Sequence, residues 1–133
     1  MKFILSLLVS LGSVAHAQVV TGYQGYMLPS VAANILISTT ESQAIDTKGF
    51  ALVGFFTPAA LTGTTLTFEA CQTVGGTYLP VYDSTNTQVS ITVATGKYYA
   101  LDPKNFQGIR FLKIKSGSTE LAARVINLSL KGF

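Results

Sequence analysis

Histidine and cysteine occur once each in this chain, and charged residues make up only 11% of its 133 residues. Each shortage closes off a class of function. A single thiol, Cys71, forms no internal disulfide, so the staples that hold many small exported domains together are not available. The lone imidazole, His16, lies in the N-terminal segment. A serine or cysteine nucleophile needs a base to take its proton near neutral pH, so neither a Ser-His-Asp nor a Cys-His apparatus is expected. No Cys/His pair stands at metal-ligand spacing. Gly75-Gly76 belongs to neither a G-x-x-x-x-G-K-[ST] nor a G-x-G-x-x-G phosphate loop. Long apolar runs are also missing. The one at the start, Phe3 to Val9, is far shorter than the roughly 20 residues that cross a bilayer.

What is present is apolar and hydroxyl-rich. Apolar residues reach 48%, which excludes the charge-rich, apolar-poor composition of a disordered chain. An ordinary globular protein carries about 25% charged residues. The deficit suits a β protein with uncharged faces, and one that covers part of its surface with copies of itself. Length allows a single domain with a core of its own.

Net charge is +3, unevenly placed. From Glu41 to Asp83, four acids (Glu41, Asp46, Glu69 and Asp83) stand against one base, Lys48. Lys97, Lys104, Arg110, Lys113, Lys115, Arg124 and Lys131 follow, against Asp102 and Glu120. Ordinary polar strand faces account for this, and a complementary contact between neighbouring copies is the sharper alternative. The bases are spread over several segments, with no nucleic-acid-binding motif among them, so no nucleic-acid partner is expected.

The N-terminus has the pattern of an export signal: Lys2, an apolar stretch, then Ala15-His16-Ala17 before Gln18. Two readings stand. Either residues 1–17 are removed between Ala17 and Gln18, or the segment stays and is buried against neighbouring subunits. The absence of paired cysteines weakens the export reading.

Beyond the N-terminus, period-2 alternation recurs and helical periodicity does not. Eight short strands are expected, over 34–39, 50–56, 65–71, 78–82, 89–93, 97–101, 110–115 and 124–131. Leu66, Phe68 and Ala70 face one way in the third, and Pro80 makes the fourth an edge strand. FALVGFF (Phe50–Phe56) is apolar throughout, as in a strand buried on both faces. The turn-rich stretches between these runs point to an antiparallel sandwich or jelly roll. Residues 1–33 then form an apolar N-terminal segment and extended arm, and 34–133 the sandwich domain.

Candidate chemistry is sparse. Glu69, on a polar strand face, is the one tempting carboxylate for glycoside cleavage, but the sequence identifies no partner for it. A solvated residue, or a cross-strand mate for a lysine or arginine, fits it better. Asp83-Ser84-Thr85-Asn86 reads as a hairpin turn sooner than a calcium loop. Cys71 reads as a small buried or strand-end residue. Tyr78, Tyr82, Tyr98 and Tyr99 either pack or stack on a sugar.

Four stretches carry a resemblance: GFFTPAALTGTTLTFEAC, GGTYLPVYDSTNTQVSITV, YYALDPKNFQGIRFLKIKSGS and RVINLSLKGF. Together they cover about 80 of the 133 residues. In them the chain resembles small β-sandwich structural proteins of tailed bacteriophages, of the capsid decoration, cement or head-fibre type. RFLKIKSG also looks like the penultimate strand of discoidin-type jelly rolls, a fold-level likeness. The resemblance implies a virion protein rather than an enzyme, without cofactor, metal or small-molecule substrate. It implies a homo-oligomer bound to the major capsid protein or another virion component. It also favours retention of the N-terminus, since a virion protein needs no export signal. Phe3, Ile4, Leu5, Leu8, Tyr23, Tyr26, Met27 and Leu28 are then the expected subunit-interface residues. The alternative is a secreted, carbohydrate-binding β-sandwich module released by cleavage between Ala17 and Gln18.

Overall fold

The computed structural model describes residues 30–132, and the expected interface residues Phe3 to Leu28, together with His16, lie outside them. The described residues form an all-β sandwich of nine strands: β1 (Val31–Ile35), β2 (Ile45–Asp46), β3 (Ala51–Phe56), β4 (Thr65–Cys71), β5 (Leu79–Pro80), β6 (Ser90–Thr92), β7 (Tyr98–Ala100), β8 (Phe111–Ser116) and β9 (Arg124–Lys131). Sheet A has the order β1-β9-β3-β7, and sheet B has the order β2-β8-β4-β5 with β6 also paired to β4. Every strand pairing is antiparallel. With β5 and β6 taken as one interrupted strand, this is the winding of a jelly roll, in which the chain passes back and forth between two sheets.

The alternation in the sequence explains which side chains meet between the sheets. Leu66 and Phe68 of β4, Leu112 and Ile114 of β8, and Ile126, Leu128 and Leu130 of β9 are all buried. Each contributes roughly 1.5–3 kcal/mol of apolar burial. Phe68 is the centre of this layer. Phe106 meets it edge-on at 5.0 Å and Phe55 lies 6.2 Å away. Phe106 is delivered by a short 3-10 turn, Pro103–Asn105, whose start is capped by Asp102 accepting a hydrogen bond from the Lys104 amide. Asp-Pro is a natural opening for such a turn, because the carboxylate caps it and the proline ring presets its backbone.

Two strand expectations are corrected. The first strand is not Asn34–Thr39 but β1, Val31–Ile35; the chain turns at 36–39, with Leu36 and Ile37 exposed and Ser38 at a φ of 65°. An apolar pair at a turn had imitated strand alternation. FALVGFF is not buried on both faces either. A bulge between Leu52 and Gly54 shifts the register, so Leu52 and Phe55 both face the core while Phe56 is 51% exposed. The unbroken apolar run is a bulged strand with one wet end.

The edge at β1 is closed from within. The Gln43 side chain accepts a hydrogen bond from the Asn34 amide at 2.8 Å and donates one to the Ala32 carbonyl at 3.1 Å. A side-chain amide thus takes the place that a further strand would occupy.

Candidate interaction surfaces

Sheet A presents an outer face whose central rows carry no charge. Ala32, Asn127, Phe56 and Tyr98 are successive cross-strand partners over β1, β9, β3 and β7, and Ser129, Gly54 and Ala100 form the adjacent row. Phe56 and Tyr98 lie with ring centroids 4.5 Å apart, tilted by 53°. Glycine is required at 54, because a Cβ there would overlap the Tyr98 hydroxyl and press on the Tyr99 carbonyl oxygen at 2.8 Å. Tyr98 therefore lies flat over the gap that Gly54 leaves in β3. Tyr98 and Val125 are each 45% exposed. No acidic or basic side chain stands in these two rows; Lys131 marks the far end of β9.

Sheet B carries the charges. Glu69 stands opposite Lys113, Thr67 opposite Lys115, and the Glu41 backbone pairs with that of Lys115 in an isolated antiparallel bridge. The Lys113 Nζ lies 3.7 Å from the Glu41 carboxylate and 4.4 Å from the centroid of the Tyr78 ring. Asp46 and Arg110 make a two-pronged pair, at 2.8 and 3.2 Å, with Arg110 also over the Phe111 ring. This hydrogen bonding, from Arg110 first and the Lys48 amide second, lowers the Asp46 carboxyl to about 2. The acids Glu41, Asp46 and Glu69 thus meet the bases Arg110 and Lys113 within one chain, across sheet B. Exposed, solvent-screened pairs of this kind add little to stability, so their main effect is to neutralise the face.

Glu69 is the exception on that face. Burial, then the neighbouring Glu41 carboxyl, raise its pKa, and Lys115 and Lys113 offset this only in part. Its Oε1 is buried without a hydrogen-bond partner. Glu41 is the second carboxylate that the sequence did not identify, since it arrives from the loop after β1. The pair stands on the open outer face of sheet B.

Glu120 is fully buried and fully satisfied. Its two oxygens accept hydrogen bonds from the amides of Thr62 (2.8 Å) and Gly63 (2.9 Å), the Ser116 hydroxyl (2.7 Å) and Arg124 Nε (2.9 Å). Burial pushes its pKa up, but these four bonds outweigh burial and bring it to about 2. One carboxylate thereby ties the loop before β4, the end of β8 and the start of β9 together. Sequence reasoning counted Glu120 only as a charge; an acid four residues before an arginine was the signal available.

The remaining candidates scatter. Tyr99 packs inward on Phe55 at 5.5 Å, and its hydroxyl accepts a hydrogen bond from the Ala94 amide. Tyr78 lies beneath Lys113, and Tyr82 is exposed beside the 83–87 hairpin. The four tyrosines do not line a common cleft. Asp83 forms the expected turn: its Oδ1 accepts from the Thr85 hydroxyl and from the amides of Thr85 and Thr87, which lower its pKa. Cys71 is buried at the end of β4, its thiol donating to the Thr73 carbonyl at 3.2 Å. Two depressions open on the surface of the described residues. One of about 360 Å³ is lined by Cys71, Leu79, Pro80 and Ile109, and one of about 450 Å³ by Asn34, Leu36, Glu41 and Gln43. Among the described residues, no three His, Cys, Asp or Glu side chains converge as metal ligands do, and no helix is long and apolar enough to cross a membrane.

No protein-family model matches this chain, and no curated protein matches it. Among solved structures, the SPBc2 prophage-derived protein YomS is similar, with a TM-score of 0.50 over 77% of this chain and 92% of that one. Sequence identity is 13%. The likeness is one of fold, shared with a protein of prophage origin.

Proposed function

We propose that this chain is a non-enzymatic structural protein of a bacteriophage particle, a capsid decoration or cement component that acts by associating with its own copies and with the shell. The observation that carries the reading is the outer face of sheet A, its central rows uncharged and Phe56, Tyr98 and Val125 exposed, on a sandwich whose fold is shared with a prophage-derived protein. Leaving such apolar area wet costs about 25 cal/mol per Å², and a partner that covers it recovers that free energy. Repetition on a shell multiplies contacts, so no one interface has to be strong. Quantitative mass spectrometry of purified particles from the phage that encodes the chain tests this. A fixed copy number, and rebinding of purified protein to particles stripped of it, are expected; absence from the particles overturns the reading.

The second reading is a secreted carbohydrate-binding module that begins at Gln18. It is favoured by the Ala15-His16-Ala17 pattern and by exposed aromatic rings next to Asn127 in the outer row of sheet A. Intact mass of the natural protein separates the two, since a mass corresponding to a Gln18 start supports export.

A further inference from the structure

The two edges of sheet A are finished differently. At β1 the Gln43 side chain takes up the edge groups of Ala32 and Asn34. At β7 no described residue plays that part. We propose that β7 is a dimerisation edge, which pairs antiparallel with β7 of a second copy about a two-fold axis at Tyr99. This rests on the reading of the chain as a self-associating protein and names the contact.

The ladder between β3 and β7 fixes which backbone groups are open. The Thr57 amide donates to the Lys97 carbonyl at 2.8 Å, and the Leu101 amide donates to the Val53 carbonyl at 2.9 Å. Phe55 stands opposite Tyr99 between them. Lys97, Tyr99 and Leu101 therefore turn their amides and carbonyls toward β3, while those of Tyr98 and Ala100 point away from it. Among the described residues nothing bonds to these outward groups, and Tyr98 and Ala100 are exposed. A sheet edge is ordinarily guarded by a proline, a bulge or a charge. Tyr98–Ala100 has none of them.

The residues of this edge select a second copy as its occupant. Asp102 is still extended, at φ −74° and ψ 111°, so the exposed strand runs from a base, Lys97, to an acid, Asp102. Paired antiparallel with itself, such a strand brings each base close to the acid of the other copy, at both ends of the seam at once. One register uses every open group. With Tyr98 opposite the partner's Ala100, and Ala100 opposite the partner's Tyr98, all the outward amides and carbonyls bond across the seam. Sliding either way sets one of these residues against Gly96 or Asp102. The Gly96 amide already donates to Pro58, and the Asp102 carbonyl already accepts from Asn105. The same register lays each Tyr98 ring beside a small alanine. Tyr98 thus packs across the seam, and making it polar is expected to weaken the pair as well.

Light scattering of the full chain over a concentration series, with circular dichroism on every variant, tests the proposal. The native chain is expected to pass from monomer to dimer. Ala100→Pro removes one outward amide and sets its ring in the seam, yet leaves each bond to β3 in place. It is expected to associate roughly tenfold or more weakly with its sheet content unchanged. Lys97→Glu, which sets like charges together at both ends, is expected to weaken the dimer in the same direction. A cross-link reads the register without depending on either variant. Chains with Tyr98→Cys, mixed with chains carrying Ala100→Cys, are expected to form a disulfide-linked heterodimer on mild oxidation faster than either chain alone links to itself. The native Cys71 is buried and does not compete. A native chain that is monomeric at every concentration overturns the proposal. So does association indifferent to Ala100→Pro and Lys97→Glu, which would assign it to another surface, and so does cross-linking no faster in the mixture. These outcomes concern purified protein only, so they are separable from absence of the chain from phage particles.

Discussion

Replacing Glu120 by glutamine isolates the contribution of one buried charge. Glu120→Gln keeps the volume of the side chain while exchanging one acceptor oxygen for a donor group. In either amide orientation the new NH2 faces an existing donor: the Gly63 amide on one side, the Thr62 amide and Arg124 on the other. A buried polar group left without a partner costs about 1–3 kcal/mol. Arg124, whose side chain is only 15% exposed, loses its counter-charge as well, and breaking a buried pair from one side costs about 3–5 kcal/mol. A loss of about 3 kcal/mol is expected at pH 7, a large share of the 5–15 kcal/mol typical of a domain. The pH dependence gives an independent check. Because the folded-state pKa is lowered from 4.5 to about 2, this contribution is complete above pH 4.5 and fades as pH falls toward 2. It fades by about 1.4 kcal/mol per pH unit, hence by roughly 2 kcal/mol at pH 3. Urea unfolding of the native chain and the variant at pH 7 and pH 3 measures both effects. The gap between the two proteins should narrow by that amount at pH 3. A loss below about 1 kcal/mol at pH 7, or an unchanged gap at pH 3, would refute the assignment of Glu120 as an ionised tie between loops.

Other substitutions probe the rest of the architecture. Phe106→Ala removes a ring that is 2% exposed and in edge contact with Phe68; a loss of about 3–5 kcal/mol in denaturant unfolding is expected, and a loss under 1 would show that the 3-10 turn does not anchor the core. Glu69→Gln should stabilise the protein at pH 7. The folded pKa of this acid is raised, so its ionised form costs stability above that pKa and the cost fades as pH falls. The thermal midpoint should therefore rise at pH 7 and not at pH 3, and a lower midpoint at pH 7 would mean that pairing with Lys113 and Lys115 outweighs burial. Gly54→Ala forces Tyr98 off β3 and strains the Tyr99 carbonyl; about 1–3 kcal/mol of destabilisation is expected, partly relieved by adding Tyr98→Ala, and no relief would place the strain in the backbone alone.

The fold class was legible in the sequence because the alternation in β4, β8 and β9 is clean: Leu66 and Phe68, Leu112 and Ile114, and Ile126, Leu128 and Leu130 all face inward. The errors have specific causes. Leu36 and Ile37 resemble a strand, yet a left-handed residue at Ser38 turns the chain there. β2 is two residues long, too short for any periodicity to register. The bulge in β3 breaks the period of a strand that otherwise faces in and out. The candidate surface was less legible than the fold. Tyr98 and Phe56 were visible as aromatics, but their meeting depends on β3 pairing with β7 and on the missing side chain at Gly54. Likewise Glu41 reaches Glu69 and Lys113 only through the order of strands in sheet B. Contacts made across long sequence separations follow from topology, and no local pattern encodes them.

We propose that this protein works by joining copies through the outer face of sheet A. Sedimentation equilibrium of the full chain, beside the Phe56→Gln/Tyr98→Gln variant, tests it most directly. The native chain is expected to form an assembly that falls back to the 14.1 kDa monomer when the face is made polar. A native chain that stays monomeric at every concentration, or an assembly indifferent to both substitutions, would contradict it.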